Sequence, residues 1–406
     1  MSIVVVVRLL VLLLLIALTV ILITRRLDVP YTLGLVVVGL GISLFVNTGP
    51  FHLTPDLVLF VFLPALLFEG SWSMSVRALR DNWLTIFLLA VPGLLLEAIL
   101  IAVPLRFLTP LSWIDAFLLA AILSPTDPIA VLGLFRQLKV DAQLSTIIEG
   151  ESLFNDGVAG VLYQVVLVFV LASIHHVQLT PFQMIGQGLL TLLQQAGGGI
   201  VVGILCGFLI SRFVKYIDDP LIEITITIVT AYGVYLLADY LHMSGILAVI
   251  VAGLILGSYG QMHAMSERTR EVVDSFWSVI AFVANALLFL LVGVQLDPLE
   301  FLQSAQLSLY LSIAGLAIAA VLVARYLLVL ILPAHLPGMR LRSWRFLIFW
   351  SGLRGALSLA LVLALPLELP SRAALLFATY AVVFFTLMVQ GFSLRFILHR
   401  IPSLHN

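Results

Sequence analysis

The stretch LSPTDPIAVLGLF, residues 123–135, decides how this chain folds, because it is an apolar segment that contains two prolines and a carboxylate. Pro125 and Pro128 have no backbone N–H, so the carbonyl one turn before each of them loses its helical donor. Each proline also disfavours helical geometry in the residue that precedes it. Asp127 followed by Pro128 is a typical helix start. The pattern therefore predicts a helix that unwinds around Thr126 and resumes at Pro128.

The unwound stretch has a functional and a structural interpretation. Asp127 would satisfy free N–H groups at the start of the new half-helix and would face its positive dipole end. The carbonyl of Thr126 would be free to point into a cavity, because exposed carbonyls at mid-membrane are tolerated only beside protein or water. A hard cation could use such a carbonyl as a ligand. A proline kink that serves helix packing is the alternative, but a kink does not require an acidic residue.

The composition around this stretch is that of an integral membrane protein. Of the 406 residues, 62% are hydrophobic and 10% are charged, which is far more apolar surface than a soluble domain of this length needs. The formal net charge of -1 gives no indication of a nucleic-acid partner. Cys206 is the single cysteine of the sequence, which excludes a disulfide framework and a thiolate metal cluster within the chain. We expect no cofactor.

Hydropathy divides the chain into thirteen apolar stretches long enough to cross about 30 Å of hydrocarbon. The first follows Arg8 and is predicted to be a retained span, because it has no A-x-A-like cleavage site and precedes Arg25 and Arg26. The connecting loops are short, so we predict one transmembrane domain over residues 1–406 with no soluble regulatory domain. The predicted spans are 8–24, 30–47, 55–71, 82–107, 113–136, 145–173, 182–213, 220–240, 243–258, 272–294, 305–332, 344–366 and 371–398.

Basic residues are distributed unequally between the two sets of loops. If the loops after odd-numbered spans are cytoplasmic, fifteen arginine and lysine residues lie on that side. The opposite side receives only Arg8, Arg106 and Arg372. This positive-inside bias predicts that the N-terminus lies outside and the C-terminus in the cytoplasm. We expect the membrane to be the plasma membrane.

The thirteen spans suggest two halves of opposite orientation. Spans 1 to 6, about 8–173, and spans 8 to 13, about 220–398, would be inverted six-helix repeats joined by span 7, about 182–213. The fifth span of the first half contains SPTDP, and the fifth span of the second half contains SGLRGALS at 351–358. Both carry helix breakers and a charge, so we predict that spans 5 and 12 are discontinuous and cross each other. This architecture is typical of secondary transporters.

The sixth span contains TIIEGESLFNDGVAGVLY at 146–163 and carries three carboxylates together with a hydroxyl and an amide. One charged residue at the centre of a membrane helix costs about 2.5 to 3.5 kcal/mol, so these groups must face protein or water. Ser152 and Asp156 are four residues apart and form one stripe, whereas Glu151 and Asn155 form a neighbouring stripe. One stripe can face a cavity while the other faces a partner helix.

We predict that Glu151 forms an ion pair with Arg354, the basic residue deep in the interrupted span of the second half. Breaking such a buried pair would strand a charge at a cost of about 3 to 5 kcal/mol, so we assign the pair a structural role. Gly352 and Gly355 flank the arginine and would permit close approach of helices.

Asp156 has no arginine assigned to it and is predicted to be the central group of the site. A carboxylate that is partly desolvated but reached by water can take up a proton near neutral pH or release it to a small cation. Because it cannot hold both at once, cation and proton compete, and competition at a site with alternating access is sufficient for antiport. Glu69, in LPALLFEG, is either a further ligand or an interfacial carboxylate at a helix end.

The stretches LPALLFEG, LSPTDPIAV, EGESLFNDGV and SGLRGALSLAL are spread over most of the chain, and together they resemble the Na⁺/H⁺ antiporters of the NhaP and NHE type, within the monovalent cation:proton antiporters. The resemblance implies a homodimer in which a six-helix core moves against a dimerisation domain in an elevator-like step. It also implies electroneutral exchange, which is associated with the Asn–Asp pair of the FND run. The residue roles that it implies are Asp156 as the carboxylate shared by Na⁺ and H⁺, Ser152 and the Thr126 carbonyl as Na⁺ ligands, Glu69 as a further acidic contributor, Asn155 and Asp127 as supports of the unwound region, and Glu151 with Arg354 as the core ion pair.

Several points stay open at the level of sequence. A K⁺/H⁺ antiporter of the same fold is an alternative, because cavity size and ligand geometry set the choice among Na⁺, Li⁺ and K⁺. A cation channel also lines its path with carboxylates, although inverted halves with broken helices favour alternating access. An intramembrane hydrolase is disfavoured, because the sequence contains no HExxH or GxSxG run. Glu97 and Arg325, which lie within predicted spans, have no assigned role.

Overall fold

The computed structural model describes residues 3–27, 29–45, 54–175, 180–260, 265–295, 305–333, 336 and 342–400. Regular secondary structure in these ranges is entirely helical. Eight helices within them are long and apolar enough to cross a membrane. The prediction of an all-helical, multi-pass membrane protein is therefore confirmed.

We number fifteen helices in chain order within the described ranges. The first seven are α1 Ile3–Leu27, α2 Tyr31–Phe45, α3 Leu57–Ser73, α4 Val76–Leu108, α5 Trp113–Leu123, α6 Ile129–Leu138 and α7 Ala142–Ile174. The other eight are α8 Phe182–Val214, α9 Pro220–Tyr240, α10 Gly245–Gly260, α11 Glu267–Gln295, α12 Leu307–Ile331, α13 Arg342–Trp350, α14 Ala356–Leu363 and α15 Arg372–Leu398. Helices α3, α4, α8, α10 and α15 each contain one π-helical stretch.

Two of the predicted spans are interrupted, as the sequence indicates. The fifth consists of α5 and α6, and residues 124–128 between them are not helical. The twelfth consists of α13 and α14, which are separated by residues 351–355. The two breaks contact each other, because the backbone N–H of Asp127 donates to the carbonyl of Leu353 at 2.8 Å. Each break therefore supplies a hydrogen-bond partner that the other lacks within its own helix.

The start of α4 differs from the predicted span because a capping residue decides it. The helix begins at Val76 rather than near residue 82, since the Ser75 hydroxyl accepts a hydrogen bond from the Ala78 N–H at 3.4 Å. The first turns are too polar to register as hydrocarbon-spanning, yet they are helical. The predicted end of the second span, at residue 47, lies outside the described residues.

Buried apolar side chains form two large clusters, and the interrupted fifth span passes from one cluster to the other. Leu118 and Leu123 of α5 belong to the cluster that contains Phe68. Val131 and Leu134 of α6 belong to the other cluster. The non-helical residues 124–128 connect these two parts of the span. Their backbone N–H and C=O groups, which have no partners within a helix, therefore lie between the two apolar clusters and not inside either of them.

Helices α2 and α11 pack closely against each other beside the interrupted spans. They cross where Gly39 faces Gly293, and a Cβ atom on either glycine would lie 2.9 Å from the Cα atom of the other. Only glycine permits the two backbones to approach this closely. The crossing holds Thr32 of α2 and Asn285 of α11 against a common cavity.

Candidate functional site

A cavity of about 470 Å³ lies beside the break between α5 and α6. The four residues that were predicted to bind the ion all line it, and so does Asp127. Glu69 comes from α3, Thr126 from the break, and Ser152 and Asp156 from α7. The structure thus brings residues that are up to 87 positions apart in the chain around one space.

The carboxylate of Asp156 faces this cavity. Its side chain is partly exposed, and it has no hydrogen-bond or ion-pair partner among the described residues. Ser152 precedes it by one helical turn and lines the same space. The Asp127 carboxylate is close enough to Asp156 for unfavourable charge repulsion, which a proton or a cation in the cavity would reduce.

Hydrogen bonds tie the unwound stretch to α7. The Oδ1 atom of Asn155 accepts from the Thr126 N–H at 3.4 Å, and its Nδ2 donates to the Thr126 Oγ1 at 2.7 Å. The same Thr126 hydroxyl lies 2.9 Å from the hydroxyl of Ser152. All three side chains are buried. Asn155 therefore fixes the unwound residue against the turn of α7 that precedes Asp156.

Asp127 lies between the N-terminal ends of two half-helices. Helix α6 begins at Ile129, one residue later than predicted, and the Asp127 Oδ1 accepts a hydrogen bond from the Ile129 N–H at 3.0 Å. The Oδ2 atom lies against Gly355, immediately before α14, where a Cβ atom would collide with the carboxylate. Two positive dipole ends therefore face one negative charge.

This geometry makes Asp127 the cap of α6, while its charge also faces the start of α14. We expect Asp127→Ala to destabilise the purified protein by about 2 kcal/mol or more, because one cap contributes about 1 kcal/mol and the charge also faces a second helix end. Asp141→Ala is the matched control, since Asp141 caps only α7, through the Gln143 N–H at 2.7 Å. Thermal unfolding in detergent measures both variants. Equal losses of stability would contradict the double role of Asp127.

Arg354 does not pair with Glu151, so that part of the prediction is wrong. Its guanidinium forms a hydrogen-bonded ion pair with Glu97. Its Nη1 donates to the carbonyl of Ser124 at 2.9 Å and to the carbonyl of Pro125 at 3.3 Å. These carbonyls follow the end of α5 and have lost their helical donors at the break. The arginine is therefore directed to the end of α5 rather than to α7.

Glu151 pairs with Arg325 instead. Both guanidinium Nη atoms donate to the carboxylate, with Nη2 at 2.8 Å from Oε2. Nη2 also donates to the carbonyl of Ile348, in the last turn of α13, at 3.1 Å. The two half-helices that end where the breaks meet, α5 and α13, thus each have an arginine at their negative dipole end. Each arginine has a glutamate of its own.

The four charges form one buried and electrically neutral group. Arg325 Nη1 lies 3.9 Å from Glu97 Oε2, which connects the two ion pairs, and none of the four side chains is more than slightly exposed. Glu97 and Arg325 had no role predicted from the sequence. The available signal was charge balance, because two glutamates and two arginines within apolar spans require partners. That balance does not say which glutamate faces which arginine.

The cavity also contains polar residues that sequence analysis did not assign to the site. Glu149 and Arg136 line it. Thr32 Oγ1, Asn285 Oδ1 and Ser358 Oγ line it as well, and these three buried atoms have no hydrogen-bond partner in the part of the chain that the structure describes. A single polar residue in an apolar span forms no pattern, so the sequence gives no reason to place Thr32 or Asn285 at this site.

The chain is similar in sequence to a family of transporters and in fold to a solved structure. The family profile described as "Sodium/hydrogen exchanger, transmembrane" matches residues 11–400. A solved structure of the sodium proton antiporter MjNhaP1 from Methanocaldococcus jannaschii has the same fold, with a TM-score of 0.78 over 97% of this chain and 98% of that one, at 19% sequence identity.

Curated relatives are similar over almost the whole chain. The low-affinity Na⁺/H⁺ antiporter NhaS1 of Synechocystis is 37% identical over 378 residues, which cover 91% of this chain and 69% of the relative. The Na⁺/H⁺ antiporter NhaH of Halobacillus aidingensis is 35% identical over 388 residues, which cover 93% of this chain and 94% of the relative. The family profile and these identities together show that this chain belongs to the sodium/hydrogen exchanger family of membrane transporters.

Proposed function

We propose that the protein exchanges Na⁺ for H⁺ across a membrane, and that the two ions compete for the carboxylate of Asp156. The observation that carries the proposal is that this carboxylate lies in a water-accessible cavity with no protein partner among the described residues. The two carboxylates of the four-charge group, Glu97 and Glu151, are each neutralised by an arginine and are not available in this way. Asp156 is therefore available to a mobile ion.

The competition follows from the chemistry of the group. The deprotonated carboxylate attracts a cation, and the protonated carboxyl has lost the charge that attracts it. Ser152 and the carbonyl of Thr126 complete the proposed Na⁺ ligands, with Glu69 as a further acidic contributor from α3. The two hydrogen bonds between Asn155 and Thr126 support this part, because they hold the unwound residue close to Ser152.

Transport also requires that the site reach each side of the membrane in turn. We propose thirteen spans in one transmembrane domain over residues 1–406, arranged as two inverted six-helix repeats, with an outer N-terminus and a cytoplasmic C-terminus in the plasma membrane. A six-helix core that contains the crossed spans would move against a dimerisation domain in a homodimer. The neutral four-charge group supports this proposal, because it lets the crossed half-helices move as one rigid unit without exposing a net buried charge.

A flux experiment tests the exchange itself. Purified protein in proteoliposomes that enclose a pH-sensitive dye would be given a proton gradient and then Na⁺, Li⁺ or K⁺ in separate runs. We expect saturable, cation-driven proton movement with Na⁺. Movement driven by K⁺ alone would favour the K⁺/H⁺ antiporter of the same fold. Cation flux that is uncoupled from protons and does not saturate would identify a channel and overturn the proposal.

Electroneutral exchange is a separate expectation. One Asp156 carboxylate that carries either one Na⁺ or one H⁺ moves the same net charge in both directions, so the rate is expected to be independent of membrane voltage. A K⁺ diffusion potential of about 100 mV, set with valinomycin, is worth about 2.3 kcal/mol per charge moved and would alter an electrogenic exchanger strongly. A rate that changes several-fold with this potential would contradict one-for-one exchange while leaving the exchange itself intact.

A further inference from the structure

A second cavity, of about 740 Å³, lies where α3 ends and α4 begins, against the end of α10 and the start of α11. We call it the arginine cavity, after Arg77, Arg80 and Arg270, which line it. Its two carboxylates are those of Glu69 and Asp274, and the Asp274 Oδ1 accepts the indole N–H of Trp72 at 2.6 Å. The cavity therefore has more basic than acidic groups.

Two of the arginines are positioned to receive an anion. Arg77 and Arg80 lie in the first turns of α4, three residues apart, so their side chains leave the same part of the helix surface. Both are exposed, and no carboxylate of the described residues lies within 4 Å of either guanidinium. The basic loop pattern places this end of α4 on the cytoplasmic side.

The surface of α4 beyond the arginines is suited to lipid. Trp83 follows Arg80 by three residues and is 57% exposed, and Phe87 follows by seven and is 48% exposed. Residues at these spacings share one face of a helix. Tryptophan beside a basic residue is typical of the headgroup level of a membrane, with apolar side chains facing the hydrocarbon. Along this face of α4, guanidinium groups are therefore followed by aromatic rings, which is the order of headgroup and acyl chain in a phospholipid.

We propose that the arginine cavity binds the phosphate headgroup of an anionic phospholipid from the cytoplasmic leaflet, with the acyl chains along Trp83 and Phe87. Basic pockets between transmembrane helices on this side bind such headgroups in other proteins. A lipid here would contact α4 and α11 at the connection that joins α3 to α4. Glu69 lines both this cavity and the one that contains Asp156, so the bound headgroup would lie next to the proposed ion pathway. The binding site itself does not depend on the proposed exchange.

The test compares lipids on the purified protein in detergent. Native mass spectrometry gives the number and affinity of retained dioleoylphosphatidylglycerol molecules, with dioleoylphosphatidylcholine as the neutral lipid. We expect the anionic lipid, dioleoylphosphatidylglycerol, to bind more tightly than the neutral one. Each arginine at a membrane surface contributes about five-fold in affinity, so R77Q/R80Q is expected to bind the anionic lipid roughly 25-fold more weakly. R77K/R80K keeps both charges and is expected to retain most of the binding.

The matched control is R26Q/R212Q, which removes two exposed arginines that line neither cavity. It is expected to bind the anionic lipid as the unchanged protein does. Unchanged affinity in R77Q/R80Q, an equal loss in R26Q/R212Q, or equal binding of the two lipids would overturn the proposal. A further arm uses inorganic phosphate alone. If millimolar phosphate displaced the lipid completely, the cavity would be a site for a soluble anion and not for a phospholipid.

Discussion

Replacing Asp156 with asparagine is expected to abolish Na⁺-driven proton movement in proteoliposomes. The amide is nearly the same size as the carboxylate, so the cavity keeps its shape. The amide carries no charge to attract a cation, however, and it does not take up a proton near neutral pH. The loss is expected to reach at least 100-fold, the level at which the leak of protein-free liposomes limits the assay. The measurement is the dye response after addition of Na⁺ to a vesicle that holds a proton gradient.

The control for this variant is Asp239→Asn, which makes the same chemical change at an exposed position at the end of α9, outside the cavity. It is expected to transport like the unchanged protein. Asp156→Asn is expected to fold at least as stably as the unchanged protein, because it removes a charge that has no partner among the described residues and that Asp127 repels. Normal transport by a folded Asp156→Asn protein would refute the assignment of the site.

The same competition has a consequence in the unchanged protein. A cation binds only to the deprotonated carboxylate, so its apparent affinity depends on pH. Over the range in which Asp156 is mostly protonated, each unit decrease in pH is expected to raise the half-saturating Na⁺ concentration by about tenfold. At higher pH the half-saturating concentration is expected to become constant. A half-saturating concentration that is constant over the whole range would mean that the two ions do not share a group.

Those parts of the site that depend on local covalent chemistry could be predicted from the sequence. The break at residues 124–128 follows from the missing N–H groups of two prolines, which no tertiary contact can restore. The shared face of Ser152 and Asp156 follows from the helical repeat. The structure has the break at the predicted residues, and Ser152 and Asp156 line the same cavity.

The parts that could not be predicted depend on how separate helices are rotated against each other. Hydropathy places Arg354 and Glu151 at similar depths, but it contains nothing about the direction of a guanidinium at the end of a long side chain. Two carbonyls at the end of α5 lack helical donors, and Arg354 donates to both, at 2.9 and 3.3 Å. These hydrogen bonds determine the direction of its side chain. Asn285 shows the same limit, because only the close crossing of Gly39 and Gly293 brings it to the cavity.

The pairing of the four buried charges predicts the second large effect. Glu151→Gln and Arg354→Met are each expected to destabilise the protein by about 3 to 5 kcal/mol, because each leaves a buried charge without its partner. The same holds for Glu97→Gln and Arg325→Met. In all four variants the loss of folded protein is expected to exceed any change in the half-saturating Na⁺ concentration, since none of these residues lines the cavity of Asp156.

Double-mutant cycles distinguish the observed pairing from the one predicted from sequence. When both partners of a true pair are removed, no charge is stranded, so E151Q/R325M is expected to be about 1 to 3 kcal/mol more stable than the sum of its single changes. E97Q/R354M is expected to behave in the same way. E151Q/R354M removes one member of each pair and leaves Glu97 and Arg325, whose opposite charges are already 3.9 Å apart, so some coupling is expected here too. This coupling is expected to be smaller than that of E151Q/R325M or E97Q/R354M, because the remaining contact is longer than either of the closer ion pairs. Thermal unfolding in detergent measures all of them, and coupling confined to E151Q/R354M would show that Glu151 pairs with Arg354 after all.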